Sequence, residues 1–181
     1  ELDRITTGTS LTLGSLQTDK VYFDGVSHSD TPADVYVISM GRVEFKGSAT
    51  SFATRVGIHT DNDVDVSSAV TVRDGSLTLV ADSTCNGTGT FTVHSTGSIT
   101  TTNNAFWIQA YDVVLLGPLD AGTQPIHFVG CSGVSIDVGG GGATTTGQMR
   151  IARSELQLLT STNLTFNAES ASITVYETLI T

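Results

Sequence analysis

The chain has 181 residues, enough for one domain with a sizeable core, and a formal net charge of −10. A surface of that sign repels phosphate backbones and anionic bilayers, which argues against nucleic acid and membranes as partners. No apolar run approaches the length that spans a bilayer, so no membrane insertion is expected. Hydrophobic residues make up 39%, aromatic residues only 7% and charged residues only 14%, well below the quarter or so of ordinary globular chains. Ser and Thr fill the gap, as is common on secreted β proteins.

From the N-terminus onward, short apolar–polar–apolar triplets recur. They read Leu11-Thr12-Leu13, Val35-Tyr36-Val37, Val43-Glu44-Phe45, Val64-Asp65-Val66, Val70-Thr71-Val72 and Leu77-Thr78-Leu79. They continue as Phe91-Thr92-Val93, Ile126-His127-Phe128, Val134-Ser135-Ile136, Leu164-Thr165-Phe166 and Ile173-Thr174-Val175. Period-two alternation in segments rich in β-branched residues predicts short strands, and the Gly, Asn, Asp and Ser between them predict turns. Met149, Ile151, Leu156 and Leu159 form the only helix-like stripe, over 148–159. It is discounted, because its second half matches the strand-like start of the chain.

The strands carry a longer period. Val35, Val56 and Leu77 lie 21 apart; Val70, Phe91, Val113 and Val134 step by 21 or 22; Phe106 and Phe128 lie 22 apart. Such a period predicts an all-β fold, a right-handed parallel β-helix (β-solenoid) of about 21–22 residues per coil. About eight coils rising about 4.8 Å each give a length of roughly 40 Å. One coil is too small to bury its own apolar side, so neighbouring coils must stack.

A larger repeat lies above the coil. Glu1-Leu2-Asp3-Arg4-Ile5-Thr6 recurs as Glu155-Leu156-Gln157-Leu158-Leu159-Thr160, Leu11–Leu13 recurs as Leu164–Phe166, and Val21-Tyr22-Phe23 recurs as Ile173–Val175. The chain is therefore expected to hold one long repeat over 1–154 and the start of the next over 155–181, all within one solenoid segment. Nothing at Glu1 reads as a signal peptide, and the repeats place Glu1 inside a longer array.

These segments, together with Gly75–Leu79, Gly87-Thr88-Gly89-Thr90-Phe91-Thr92-Val93, Thr102–Ala105 and Leu116–Thr123, resemble the giant repeat proteins of the filamentous-haemagglutinin-like class. Similar long repeats occur in bacterial surface proteins and in very large secreted proteins of some algae and oomycetes. The resemblance implies a β-solenoid in a long surface or fibre-forming protein. It carries no catalytic residues and implies nothing about the cysteines.

Asp61, Asp63 and Asp65 begin like a calcium loop, but Val66 and Val72 stand where an EF-hand needs Gly and Glu. They read as a polar turn, and Gly139 to Gly142 read as a tight or flexible corner. No metal or cofactor is expected. A polysaccharide-cleaving enzyme needs carboxylates gathered on one face. Asp112, Asp120 and Asp137 occupy different phases of the coil register and are expected on different faces, and His28, His59, His94 and His127 are scattered. No catalytic site is predicted. The single outward Thr of most triplets is a good strand residue and gives only weak grounds for ice binding.

Asn86-Gly87-Thr88 and Asn163-Leu164-Thr165 are N-glycosylation sequons, with Asn86 ranked first because glycines place it in a turn. Cys85 and Cys131 are 46 residues apart. At two coils of about 21–22 residues they stand about 9–10 Å apart, beyond the roughly 7 Å a disulfide tolerates, so no bridge between them is expected. A loop excursion around Asn86 to Gly89 is the one device that would bring them together.

The function expected from these features is a structural module of an extracellular or cell-surface fibre or stalk. Its partners are copies or adjacent repeats of itself, stacked end to end. The alternative is an adhesin that binds glycans or host surfaces along its side.

Overall fold

The computed structural model describes residues 10–30, 33–140 and 148–176. It is almost all-β, 51% strand against 4% helix, and its sheets are parallel. The strands are β1 (Ser10–Gly14), β2 (Lys20–Phe23), β3 (Asp34–Ser39), β4 (Arg42–Phe45), β5 (Thr50–Phe52), β6 (Val56–Thr60), β7 (Val64–Val66) and β8 (Ala69–Val72). There follow β9 (Leu77–Val80), β10 (Thr90–Val93), β11 (Ser98–Thr101), β12 (Phe106–Ala110), β13 (Asp112–Leu115), β14 (Leu119–Asp120), β15 (Ile126–Gly130) and β16 (Ser135–Val138). The last stretch holds β17 (Gln148–Ile151), the one-turn helix α1 (Arg153–Leu156), β18 (Leu159–Thr160), β19 (Leu164–Ala168) and β20 (Ile173–Val175).

Apart from β16 and β17, successive strands do not pair with each other. From β3 to β15 the chain visits three sheets in turn and then returns to the first, so strands three apart in order become neighbours. The first sheet has seven strands, in the order β1-β3-β6-β9-β12-β15-β19. The second runs β13-β10-β7-β4-β2 and the third β18-β14-β11-β8-β5. A three-stranded sheet, β17-β16-β20, completes the set, and its edge strand β17 packs against β13.

Every triplet read from the sequence lies in or overlaps one of these strands, because alternation fixes which side each residue faces. The inward rows form one core. Phe23 stacks on Phe45 at 4.8 Å, Phe52 meets both edge-on, and Phe128 stacks on Phe166 at 5.6 Å. Close stacking of successive turns leaves no room for a side chain at some corners: a Cβ on Gly41 would run into the carbonyl of Asp19.

The register bears out Val35, Val56 and Leu77 as aligned partners. It corrects two other alignments. Phe106 faces Ile126, and it is Ile108 that faces Phe128. Val70 pairs with Ile99 in the third sheet, whereas Phe91 pairs with Val64 and Val113 in the second. The uniform period is interrupted because turns differ in length. Leu77 aligns with Phe106, 29 residues on, and Ile126 aligns with Leu164, 38 residues on. The first interval contains the excursion between β9 and β10; the second contains β16, β17 and α1. The stripe over 148–159 resolves into a strand, a single helical turn and a short strand, not a helix of that length.

Candidate functional site

Three places bring polar groups together. The first lies where β17 meets β13. Asp112 Oδ1 accepts the N–H groups of Val113 (2.9 Å) and Arg150 (3.2 Å). Glu155, on α1, reaches back across the same gap: Oε1 accepts the Leu115 N–H at 2.8 Å and Oε2 the Ala152 N–H at 2.6 Å. Two side chains thus supply the acceptors that a further neighbouring strand would give to the β13 edge. Burial pushes the pKa of both carboxyls up, against the lowering effect of those N–H groups and of Arg150; the Asp112 charge raises that of Glu155 a little further. Arg150 also stands in register with Asp137, which is 7% exposed.

Asp112, Asp120 and Asp137 lie on β13, β14 and β16 in three different sheets, in line with the expectation. β17 nonetheless sets Arg150 against Asp112 and in register with Asp137, a link hidden in the sequence because β17 carries no triplet aligned with the coil period. Chemically the cluster is a backbone cap. Glu155 spends both oxygens on N–H groups, which leaves it poorly placed as a general acid or base.

The second place is the Asp run. Arg42 bridges Asp63 at 2.8 Å and Asp65 at 3.2 Å, and Asp65 also meets His94 at 3.2 Å. Asp63 accepts the Thr90 N–H at 3.0 Å, and Asp61 is hydrogen-bonded by Ser83. These carboxylates hold neighbouring turns together, and no group of His, Cys, Asp and Glu suited to a metal occurs among the described residues.

The third place is the excursion after β9, and it overturns the cysteine expectation. Cys85 and Cys131 form a disulfide with Cα atoms 5.3 Å apart. The segment after Ala81 turns on Asp82 and Cys85 at φ of 61° and 52° and brings Cys85 to Cys131. Asp82 holds it there by accepting the N–H groups of Asn86 (2.7 Å) and Gly87 (2.8 Å). The excursion contemplated as an exception is the actual path.

Asn86, at its crest, is exposed, and Thr88 Oγ1 donates to Asn86 Oδ1 at 2.5 Å. Asn163 is exposed just before β19. His28 lies beside Ser51 and Arg73, His59 is exposed on β6, and His127 stacks near Trp107; the four histidines do not converge. Glu155, Arg150 and Trp107 are site residues that spacing alone did not single out. Residues 139–140 are described at the edge of the Gly-rich corner, and the remainder of it, with Glu1–Thr6, lies outside the described residues.

Comparison of the chain with protein-family models, with curated proteins and with solved structures finds no match.

Proposed function

We propose that this chain is a structural module of an extracellular fibre or stalk. In this reading the parallel sheets form a right-handed β-solenoid whose ends stack on copies or adjacent repeats of the same sequence. One observation carries it. The two edge strands of the seven-stranded sheet, β1 and β19, bear the two copies of one motif, Leu11-Thr12-Leu13 and Leu164-Thr165-Phe166. The copies Val21–Phe23 and Ile173–Val175 also lie in edge strands, β2 of the second sheet and β20 of the three-stranded sheet.

A chain that begins and ends its sheet on the same motif has already taken the first step of the next repeat. Each open edge presents unpaired N–H and C=O groups to a strand of matching pattern. Head-to-tail contacts of that kind do not close and so extend into filaments. The Cys85–Cys131 bridge suits an oxidising, extracellular setting. The resemblance to filamentous-haemagglutinin-like proteins fits the same reading and rests on the quoted residues alone.

The test is a chain of one, two and three tandem copies of residues 1–154. Six strand steps separate β1 from β19, so stacking predicts a rod that lengthens by about 29 Å per copy in X-ray scattering, at about 4.8 Å per step. It also predicts a melting temperature that rises with copy number. Copies that scatter as flexibly linked beads with an unchanged melting temperature would defeat the proposal. The exposed edge substitution Thr12→Pro, which removes an N–H that strand alternation turns away from β3, should abolish association between single-copy chains and leave their fold intact.

A further inference from the structure

The seven-stranded sheet turns two rows of side chains outward. In one row the register aligns Thr78, Trp107, His127 and Thr165. Trp107 is the chain's only tryptophan and is 44% exposed. Its ring lies 5.2 Å from that of His127, tilted by 36°. With Thr78 and Ser76 the two rings line a shallow cleft of about 350 Å³, at the small end of the ~300–1,000 Å³ typical of ligand sites.

The second row differs. Val80 and Val129 point outward yet are only 8% and 4% exposed. Gln109, between them in register, donates from Nε2 to Cys85 Sγ at 3.8 Å, which ties this row to the disulfide. Of the two rows, the one that holds Trp107 is the open one.

Charge decides the class of occupant. The strands β9, β12, β15 and β19 contain no Asp, Glu, Lys or Arg, whereas β2, β4 and β7 carry Lys20, Arg42, Glu44 and Asp65. A phosphate or an acidic peptide would find no fixed positive charge in these four strands, and a cation would meet only the indole face, with no carboxylate beside it in them. An exposed indole flanked by hydroxyls and an imidazole suits a ring that is apolar on its flat face and polar at its rim.

We propose that the outer face around Trp107 binds a neutral oligosaccharide. The C–H groups on the flat face of a pyranose carry partial positive charge and rest against the negative face of the indole. Its rim hydroxyls meet Thr78, Thr165 and the His127 ring. The row repeats at about 4.8 Å per strand, comparable to the length of one sugar residue, so successive sugars run along the row from strand to strand. The site is independent of the end-to-end stacking proposed above.

Because Trp107 is the sole tryptophan, its emission reads the site directly. Titration with cellohexaose, laminarihexaose and mannohexaose should give a saturable blue shift with at least one of them and none with hexagalacturonate. His127→Ala should weaken that binding about tenfold, the scale of losing one anchoring contact. Trp107→Ala, followed by calorimetry, should abolish it with the circular dichroism unchanged. Absence of a saturable response to all three neutral sugars, or binding that survives Trp107→Ala, overturns the proposal. A shift driven by protein concentration alone also overturns it, because the face would then be a lateral contact between copies.

Discussion

Cys85 and Cys131 stand 5.3 Å apart at their Cα atoms although the strands they follow, β9 and β15, are two positions apart in the seven-stranded sheet. The excursion that carries Cys85 makes up the difference. The bridge fastens that excursion, which carries the exposed Asn86.

The bridge closes a sequence separation of 46 residues, for which chain entropy gives a stabilisation of about 4 kcal/mol. Cys131→Ala, or reduction of the native chain, should lower the melting temperature by roughly 8–16 °C. Peptide mapping of the unreduced chain with an alkylating reagent should recover a crosslinked Cys85–Cys131 peptide. Two free thiols in that sample would refute the pairing.

Asp112 and Glu155 make stability depend on pH. Both have pKa values raised in the folded chain, chiefly by burial. Their contribution is fully present below the ordinary carboxylate range and is lost as pH rises through the raised values, when a partly buried charge must form. Asp112→Asn keeps an oxygen to accept the Val113 and Arg150 N–H groups but cannot ionise. Urea unfolding should find it close to the natural chain at pH 4 and more stable than the natural chain at pH 7. Parallel curves for the two proteins across that range would contradict the assignment.

Phe45 is 2% exposed, stacked on Phe23 and edge-on to Phe52. Strands paired on both sides of Phe45 leave little slack to refill the space, so Phe45→Ala should cost about 3–5 kcal/mol. The expected signature is a lower urea midpoint with an unchanged slope. A cost under about 1 kcal/mol would mean that the three rings do not form a common packed layer.

Secretion from a eukaryotic host should add glycan mass at Asn86 and, at lower occupancy, at Asn163, both of which are exposed. Thr88→Ala should remove the Asn86 fraction by destroying its sequon. Intact-mass measurement before and after glycosidase treatment reads both sites, and an unshifted mass would rule them out.

The strands that carry a triplet were legible from residues alone, whereas β5, β11, β14 and β18 carry none and β17 falls in the helix-like stripe over 148–159. Alternation such as Val35-Tyr36-Val37 states locally which side chain faces inward, and the steps from Val35 to Val56 to Leu77 gave correct partners because their turns are of equal length. What the sequence could not state is where a turn stops following the coil. Between Leu77 and Phe106 the chain spends eight residues more than the 21-residue step on an excursion with no apolar rhythm of its own, and that excursion alone brings Cys85 to Cys131. The insertion of β17 against β13 is likewise invisible to periodicity, so Asp112, Arg150 and Glu155 meet only in three dimensions. Exposure of Trp107 follows the same rule. Alternation turns it outward, as it does Val80 and Val129, but only the tertiary structure decides that those two are buried while the indole stays open. Periodicity encodes direction relative to one strand; adjacency between turns depends on the lengths of the segments that join them.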